Sequence, residues 1–195
     1  MNDKTVQIYR FAQLRKDVSA DIDAYLGFAA EYHARERNWR GSLSAFFMPS
    51  VVACWIYRIS HWFHSHGLQR TGLVLAGLNQ FLTRVSISPA SSIGGGLYIA
   101  HPASGIVFQG MAGTRLKLFA GCAVSAEPLT PLHRYAHVRC PYLGDNVSLG
   151  AKAFVCGPAN IGSNVRIGFN AVISQDIPAD SFVVSTHVRN RLEKR

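Results

Sequence analysis

Charge is scarce in this sequence, and acidic charge is scarcer still. Of 195 residues only 16% are charged, with 11 Asp and Glu against 20 Lys and Arg. Apolar residues make up 48%, which excludes a disordered chain, because such chains are rich in charge and poor in apolar side chains. Cysteine is sparse: Cys54, Cys122, Cys140 and Cys156 are all there are, and none form a CxxC pair. Reduced thiols in a cytoplasmic protein are therefore expected. No apolar run is long enough to cross a bilayer, which needs about 20 residues; the longest, Ala45 to Tyr57, has 13 and includes Pro49. The opening Met1-Asn2-Asp3-Lys4 lacks the charged and apolar regions of a signal peptide. No three-residue period is present, which excludes a collagen-like chain.

What charge there is lies unevenly. The formal net charge is +9, yet residues 1–41 hold 7 basic and 6 acidic residues while residues 42–195 hold 13 and 5. A basic body suits anionic partners: a phosphorylated cofactor, an anionic polymer or a membrane surface. Nucleic acid is not the expected partner, because the basic residues are scattered singly. No helix-turn-helix, zinc-finger or RNP motif is present either.

The pattern changes near residue 86. Before it, Tyr9, Leu14, Val18, Ile22, Tyr25, Leu26 and Ala29 recur at threes and fours, which predicts a helix. A polar, basic break follows from Arg35 to Gly41. A second helix is predicted from about Ser42 to His66, bent at Pro49. Gly67 stops it, and a third is predicted from about Thr71 to Thr83.

After residue 86 the period is six. Leu143, Leu149, Val155, Ile161, Ile167 and Ile173 open six consecutive hexapeptides; each second residue is Gly, Cys or Ser, and each fifth is Val, Ala or Ile. Ile87, Ile93 and Ile99 repeat the frame upstream. A six-residue aliphatic period fits a parallel β-helix, with three hexapeptides to a triangular coil. The large aliphatic points inward and stacks on its equivalent one coil away. The small second residue is expected at the tight corner, where glycine tolerates unusual φ and ψ.

Residues 105–141 break this frame. Gly105-Ile106-Val107-Phe108 and Leu118 to Val124 are expected to continue the coil. About 125–140 is expected to leave it as a loop carrying Glu127, His133, Arg134, His137 and Arg139; long loops on rigid scaffolds often carry function. The expected organisation is an α-helical N-terminal domain (1–85), a β-helix domain (86–184) and a basic tail (185–195).

Two segments narrow the reading. Tyr57-Arg58-Ile59-Ser60-His61-Trp62, before the coil, and His101-Pro102-Ala103-Ser104-Gly105-Ile106-Val107, within it, resemble the serine acetyltransferase family of hexapeptide-repeat acyltransferases. The resemblance covers roughly residues 45–184. It implies a mainly β fold, a left-handed parallel β-helix preceded by helices, and a homotrimer or a dimer of trimers. It also implies acetyl-CoA as acyl donor, no metal, and direct transfer to an acceptor hydroxyl. In the family a coil histidine is the general base, and His101 stands at that position; an imidazole can accept a proton at neutral pH. A backbone N–H is needed nearby to stabilise the oxyanion. The resemblance further assigns donor contacts to Gly150, Ala151, Lys152, Gly168 and Phe169.

The departures bear on the acceptor. Family members acting on serine carry Asp where this chain has Ala100. They carry an Asp-Ile-His-Pro segment where it has Ser86-Ile87-Ser88-Pro89, and Arg-His-Pro where it has Arg139-Cys140-Pro141. The missing acids are natural partners for a substrate ammonium. Cys-Pro followed by hexapeptides resembles the exopolysaccharide O-acetyltransferases of the same branch, whose acceptor is a sugar hydroxyl. Acceptor or phosphate contacts are expected from Arg139, Arg134, His133 and Cys140, and Glu127 or Ser86 is expected to orient His101. Phe169 stands where the family has a small residue, and Val183 to Arg189 lacks its closing Gly and Pro.

The main expectation is therefore O-acetylation of a small molecule or glycan, in the cytoplasm or at the inner face of the membrane. Alternatives are serine O-acetylation in cysteine biosynthesis and an inactive trimeric scaffold. A further alternative is zinc held by His101, His133 and His137, which would activate water. His61 and His64 share a helix face, but no Cys or carboxylate lies beside them, so a metal is not expected there.

Overall fold

The computed structural model describes residues 9–33, 47–126 and 140–184. Among the described residues three helices precede the coil: α1 (Phe11–His33), α2 (Pro49–Ser65) and α3 (Gln69–Thr83). Pro49 opens α2 rather than bending a longer helix. At the first helical position proline loses only an N–H that has no intrahelical partner anyway, and its fixed φ suits the helix. The expected break at Arg35–Gly41 and the start near Ser42 lie outside the described residues. Arg84, in the left-handed region at φ 63°, caps α3 by donating its N–H to Gln80 O at 3.0 Å.

Fourteen short strands follow among the described residues, wound into three parallel sheets. The first face stacks β1 (Val85–Ile87), β4 (Ile106–Phe108), β7 (Ala123–Ser125), β10 (Phe154–Cys156) and β13 (Val172–Ile173). The second stacks β2 (Ser92–Ile93), β5 (Met111–Ala112), β8 (Tyr142–Leu143) and β11 (Asn160–Ile161). The third stacks β3 (Tyr98–Ile99), β6 (Lys117–Leu118), β9 (Ser148–Leu149), β12 (Arg166–Ile167) and β14 (Phe182–Val183). The inward residues predicted by the six-residue frame, from Ile87 to Ile173, are all buried.

The registers explain the broken frame. Leu149 pairs with Ile167, 18 positions on, which is one regular coil. Ile87 pairs with Phe108, 21 on, so the first coil carries three extra residues. Phe108 pairs with Val124 after only 16, and Leu118 with Leu149 after 31. The last interval exceeds a regular coil by 13, so the chain leaves the helix after β7 and re-enters before β8 in register. The expected segments at 106–108 and near 118–124 do continue the coil as β4, β6 and β7.

The corners differ from expectation in one respect. In four of the six hexapeptides the left-handed residue is not the second but the fourth: Asn146, Lys152, Asn164 and Asn170 all have φ between 55° and 60°. Asn and Asp tolerate that region better than most residues. The second-position glycines are needed for room. A Cβ on Gly150 would lie 2.9 Å from Ile167 O, and one on Gly144 would lie 2.7 Å from Ser163 N.

Arg58 joins the helices to the coil. Its side chain is fully buried and forms a forked pair with Asp21 of α1, Nε to Oδ2 at 2.9 Å and Nη2 to Oδ1 at 3.0 Å. It also donates to the carbonyls of Ile93 and, at 2.7 Å, Gly94. Asp21 Oδ1 accepts the N–H groups of Gly96 (2.9 Å) and Leu97 (2.8 Å). Burial pushes the Asp21 carboxyl up, and Arg58 with these N–H groups pulls it back. On the same helix face Tyr57 Oη donates to Ser91 O at 2.9 Å, and His61 Nδ1 bonds Pro89 O at 2.9 Å.

α3 is turned the other way. It buries Gly72, Asn79 and Thr83 against α2, with Ser60 Oγ donating to Gly72 O (2.8 Å) and Asn79 Nδ2 to Ala53 O (2.9 Å). Its outward face exposes Leu73, Val74, Leu78, Phe81 and Leu82.

Two outcomes follow from this packing. Arg58→Met leaves a buried carboxylate unpaired, and denaturant unfolding is expected to show a loss of about 3–5 kcal/mol. Burial holds the His61 imidazole below its ordinary pKa. The folded chain therefore binds fewer protons than the unfolded chain below the unfolded value of about 6.5. The His61 contribution is complete above that pH and is lost on acidification; in His61→Asn this part of the pH dependence of the urea midpoint is expected to disappear.

Candidate active site

The turn that carries His101 is the three-residue excess of the first coil. Between β3 and β4 the backbone makes one turn of 3-10 helix, Pro102–Ser104, instead of the usual corner. Ser104 N–H bonds His101 O, and Gly105 N–H bonds Pro102 O, both at 3.0 Å. His101 takes φ 52° and ψ 59°, an uncommon left-handed conformation for a non-glycine residue. Pro102 is buried and pins the turn, while His101 is exposed. Among the described residues no side chain bonds its imidazole.

The same edge of the β-helix carries the residues expected at the donor site. A Cβ on Gly121 would lie 3.7 Å from Ser104 O and 3.5 Å from Lys152 Cγ, so the His101 turn sits above Gly121, which sits above Lys152. Asn170 N–H bonds Ala151 O at 3.0 Å, one coil further. Gly150, Ala151, Lys152, Gly168 and Phe169 thus form two steps of one column below His101. Lys152 is exposed and Phe169 is 69% exposed. Gly150 and Gly168 are glycine for coil spacing, since a Cβ on either would lie 2.9 Å from a backbone oxygen of the next coil. Lys152 and Phe169 are the members of the column free to contact a ligand.

Ser86 faces outward from β1, half-buried, beside Val107 of β4. Cys140 is exposed at the point where the chain re-enters the coil, next to Pro141, whose carbonyl accepts the Met111 N–H at 3.0 Å. Cys122 instead packs in the core, where burial pushes its thiol up to about 12, so it is inert as a nucleophile at neutral pH. Glu127, His133, Arg134, His137 and Arg139 lie outside the described residues. Of the three histidines considered for zinc, His101 alone is described, and the described residues hold no group of three or more His, Cys, Asp or Glu suited to a metal.

Sequence reasoning missed the aromatic wall beside this edge. Phe28 of α1 stacks on Tyr98 with ring centroids 4.3 Å apart and meets Phe119 edge-on at 6.2 Å. Tyr98 occupies an outward strand position, three residues before His101, yet is only 7% exposed. Its signal was an aromatic where the repeat leaves a solvent-facing residue; its partner lies 70 positions away.

The chain is similar to known proteins. Residues 141–175 match the family model described as bacterial transferase hexapeptide (six repeats). A serine acetyltransferase of Mycobacterium tuberculosis is 33% identical over 141 residues, covering 71% of this chain and 59% of that protein. The crystal structure of Neisseria gonorrhoeae serine acetyltransferase superposes with a TM-score of 0.76 at 27% identity, covering 91% of this chain and 65% of that one. Serine acetyltransferase isoform 3 of Entamoeba histolytica, in complex with cysteine, superposes at 0.75 with 25% identity, covering 95% and 63%. The chain spans less than two thirds of the length of each of these three.

His101→Gly relieves the left-handed backbone but gives the unfolded chain more freedom, two effects of similar size and opposite sign. The variant is expected to unfold within about 1 kcal/mol of the parent. A much larger loss in a denaturant melt would mean that His101 is there to hold the turn.

Proposed function

We propose that this chain, a member of the left-handed β-helix, hexapeptide-repeat acyltransferases in their serine acetyltransferase-like branch, is an acetyl-CoA-dependent O-acetyltransferase with His101 as general base. The observation that carries the reading is the column: His101, Gly121, Lys152 and Phe169 share one edge of the β-helix. The residues of that edge fit the donor. The Lys152 ammonium suits phosphate, and the outward side chains of Phe169, Phe154 and Val172 suit an apolar arm. Acetyl-CoA, when bound, supplies the thioester. An unprotonated nitrogen of His101 takes the proton of the acceptor hydroxyl and makes the oxygen nucleophilic. The imidazole holds that proton until the thiol leaves.

The named relatives favour L-serine over a glycan as acceptor. One observation favours a second reading. Ala100 is buried and Ser86 carries no charge, so neither offers a carboxylate to an ammonium, and an uncharged hydroxyl acceptor needs none. Arg139, Arg134, His133 and Cys140 are proposed to contact the acceptor and Glu127 to orient His101; Ser86, the other residue expected in that role, makes no bond to the imidazole. Four unpaired cysteines support the reducing cytoplasm as location. The bare apolar face of α3 and the outward row Val107, Phe154, Val172 support assembly as a homotrimer or a pair of trimers; contiguous apolar patches mark such interfaces.

Release of free thiol from acetyl-CoA tests the reading. With L-serine present, release is expected and falls by about 10²–10⁴ in His101→Ala. Release with a neutral sugar but not with serine selects the second reading. Release with neither overturns both.

A further inference from the structure

Away from the His101 edge, a cavity of about 430 Å³ lies between α1 and the third face of the β-helix. That is the size of a small-molecule site. Ala20, Ala24 and Gly27 of α1 form one wall and make the room. Tyr98 and Phe28 supply an aromatic surface, and their contact with Phe119 closes the side toward His101. Arg115 and Lys117 stand on the opposite wall.

These two cations are adjacent, exposed and under-compensated. Among the described residues the Lys117 side chain makes no hydrogen bond or ion pair, while its backbone N–H donates to Val147 O at 2.9 Å. Arg115 feels the charge of Asp145, but that carboxylate commits its Oδ1 to Thr114, at 2.6 Å from N and 2.9 Å from Oγ1. Asp23 also lines the cavity and has an interaction of its own, so its carboxylate faces the same space as the two cations. Like charges side by side repel, and an anion between them relieves the repulsion. Apolar walls next to two cationic side chains suit an organic anion.

We infer that this cavity is a binding site for a small organic anion, with Arg115 and Lys117 on its carboxylate or phosphate and Tyr98, Phe28 and Ala24 against its apolar body. The inference does not depend on acetyl transfer. Because α1 forms one wall and the coil the other, an occupant bridges the two, and binding stabilises their contact by mass action.

Calorimetric titration of the full chain with benzoate and with phenyl phosphate, at constant ionic strength, tests this. Saturable binding is expected for at least one probe, and which one binds identifies the oxyanion. Arg115→Ala/Lys117→Ala is expected to weaken it at least tenfold, and Ala24→Leu, which fills the cavity from the helix side, to abolish it. Arg70→Ala, an exposed cation on α3 outside the cavity, is expected to leave it unchanged. No saturable binding of either probe overturns the inference, as does binding that survives both the double substitution and Ala24→Leu. Because Arg115 and Lys117 are exposed, their loss is readily separated from misfolding by the unfolding midpoint.

Discussion

The buried Arg58 guanidinium is the constraint on which the rest of this molecule depends. A stacked β-helix ends in a coil whose backbone and apolar interior face nothing, and such ends need a cap. Here the cap is α1 and α2, and Arg58 makes the seam. It commits its fork to Asp21 and its remaining donors to the carbonyls of Ile93 and Gly94, while Asp21 takes the N–H groups of Gly96 and Leu97. Five backbone or side-chain partners are thereby satisfied in one dry place, where a lone charge would be prohibitive. Tyr57 and His61 attach the same helix face to Ser91 and Pro89. The Tyr57–Trp62 segment is distinctive because it is the underside of that cap.

The cap also sets what lies beside it. Asp21 fixes the rotation of α1, which turns Ala20, Ala24 and Gly27 toward Arg115 and Lys117 and lays Phe28 on Tyr98. The helices thus shape a pocket as well as covering an end. α3 contributes nothing to the seam. It packs polar and small residues against α2 and leaves its apolar side outward, the pattern of a helix whose second partner is another surface.

Much of the β-helix was legible because the inward aliphatics recur at six without interruption from Leu143 to Ile173. Where the frame slips, between Ile87 and Leu143, the strands were only partly legible: intervals of 21, 16 and 31 residues hide an otherwise regular stack. The corner chemistry misled, because glycine at the second position suggested backbone freedom when its role is to let coils approach. The left-handed residues of the hexapeptides were Asn and Lys two places on. Pro49 was ambiguous between kink and start, since both satisfy its missing N–H. At the candidate site, His101 and the Gly150–Phe169 column were legible from the repeat and its resemblances. The cavity was not, because Arg115 and Lys117 meet α1 across about 90 residues of sequence.

His101 sits where the repeat deviates, on an added turn that holds its backbone in the left-handed region and its ring at an exposed edge. Among its departures from the family it resembles is Ser86, which stands where family members carry the Asp of an Asp-Ile-His-Pro segment. The most direct measurement is the steady-state rate of acetyl transfer to L-serine by Ser86→Asp beside the parent chain. A carboxylate that orients the base is expected to raise kcat/KM by about tenfold or more, with an unchanged unfolding midpoint. An unchanged or lower rate in a folded variant would contradict His101 as a general base that a carboxylate at position 86 can serve.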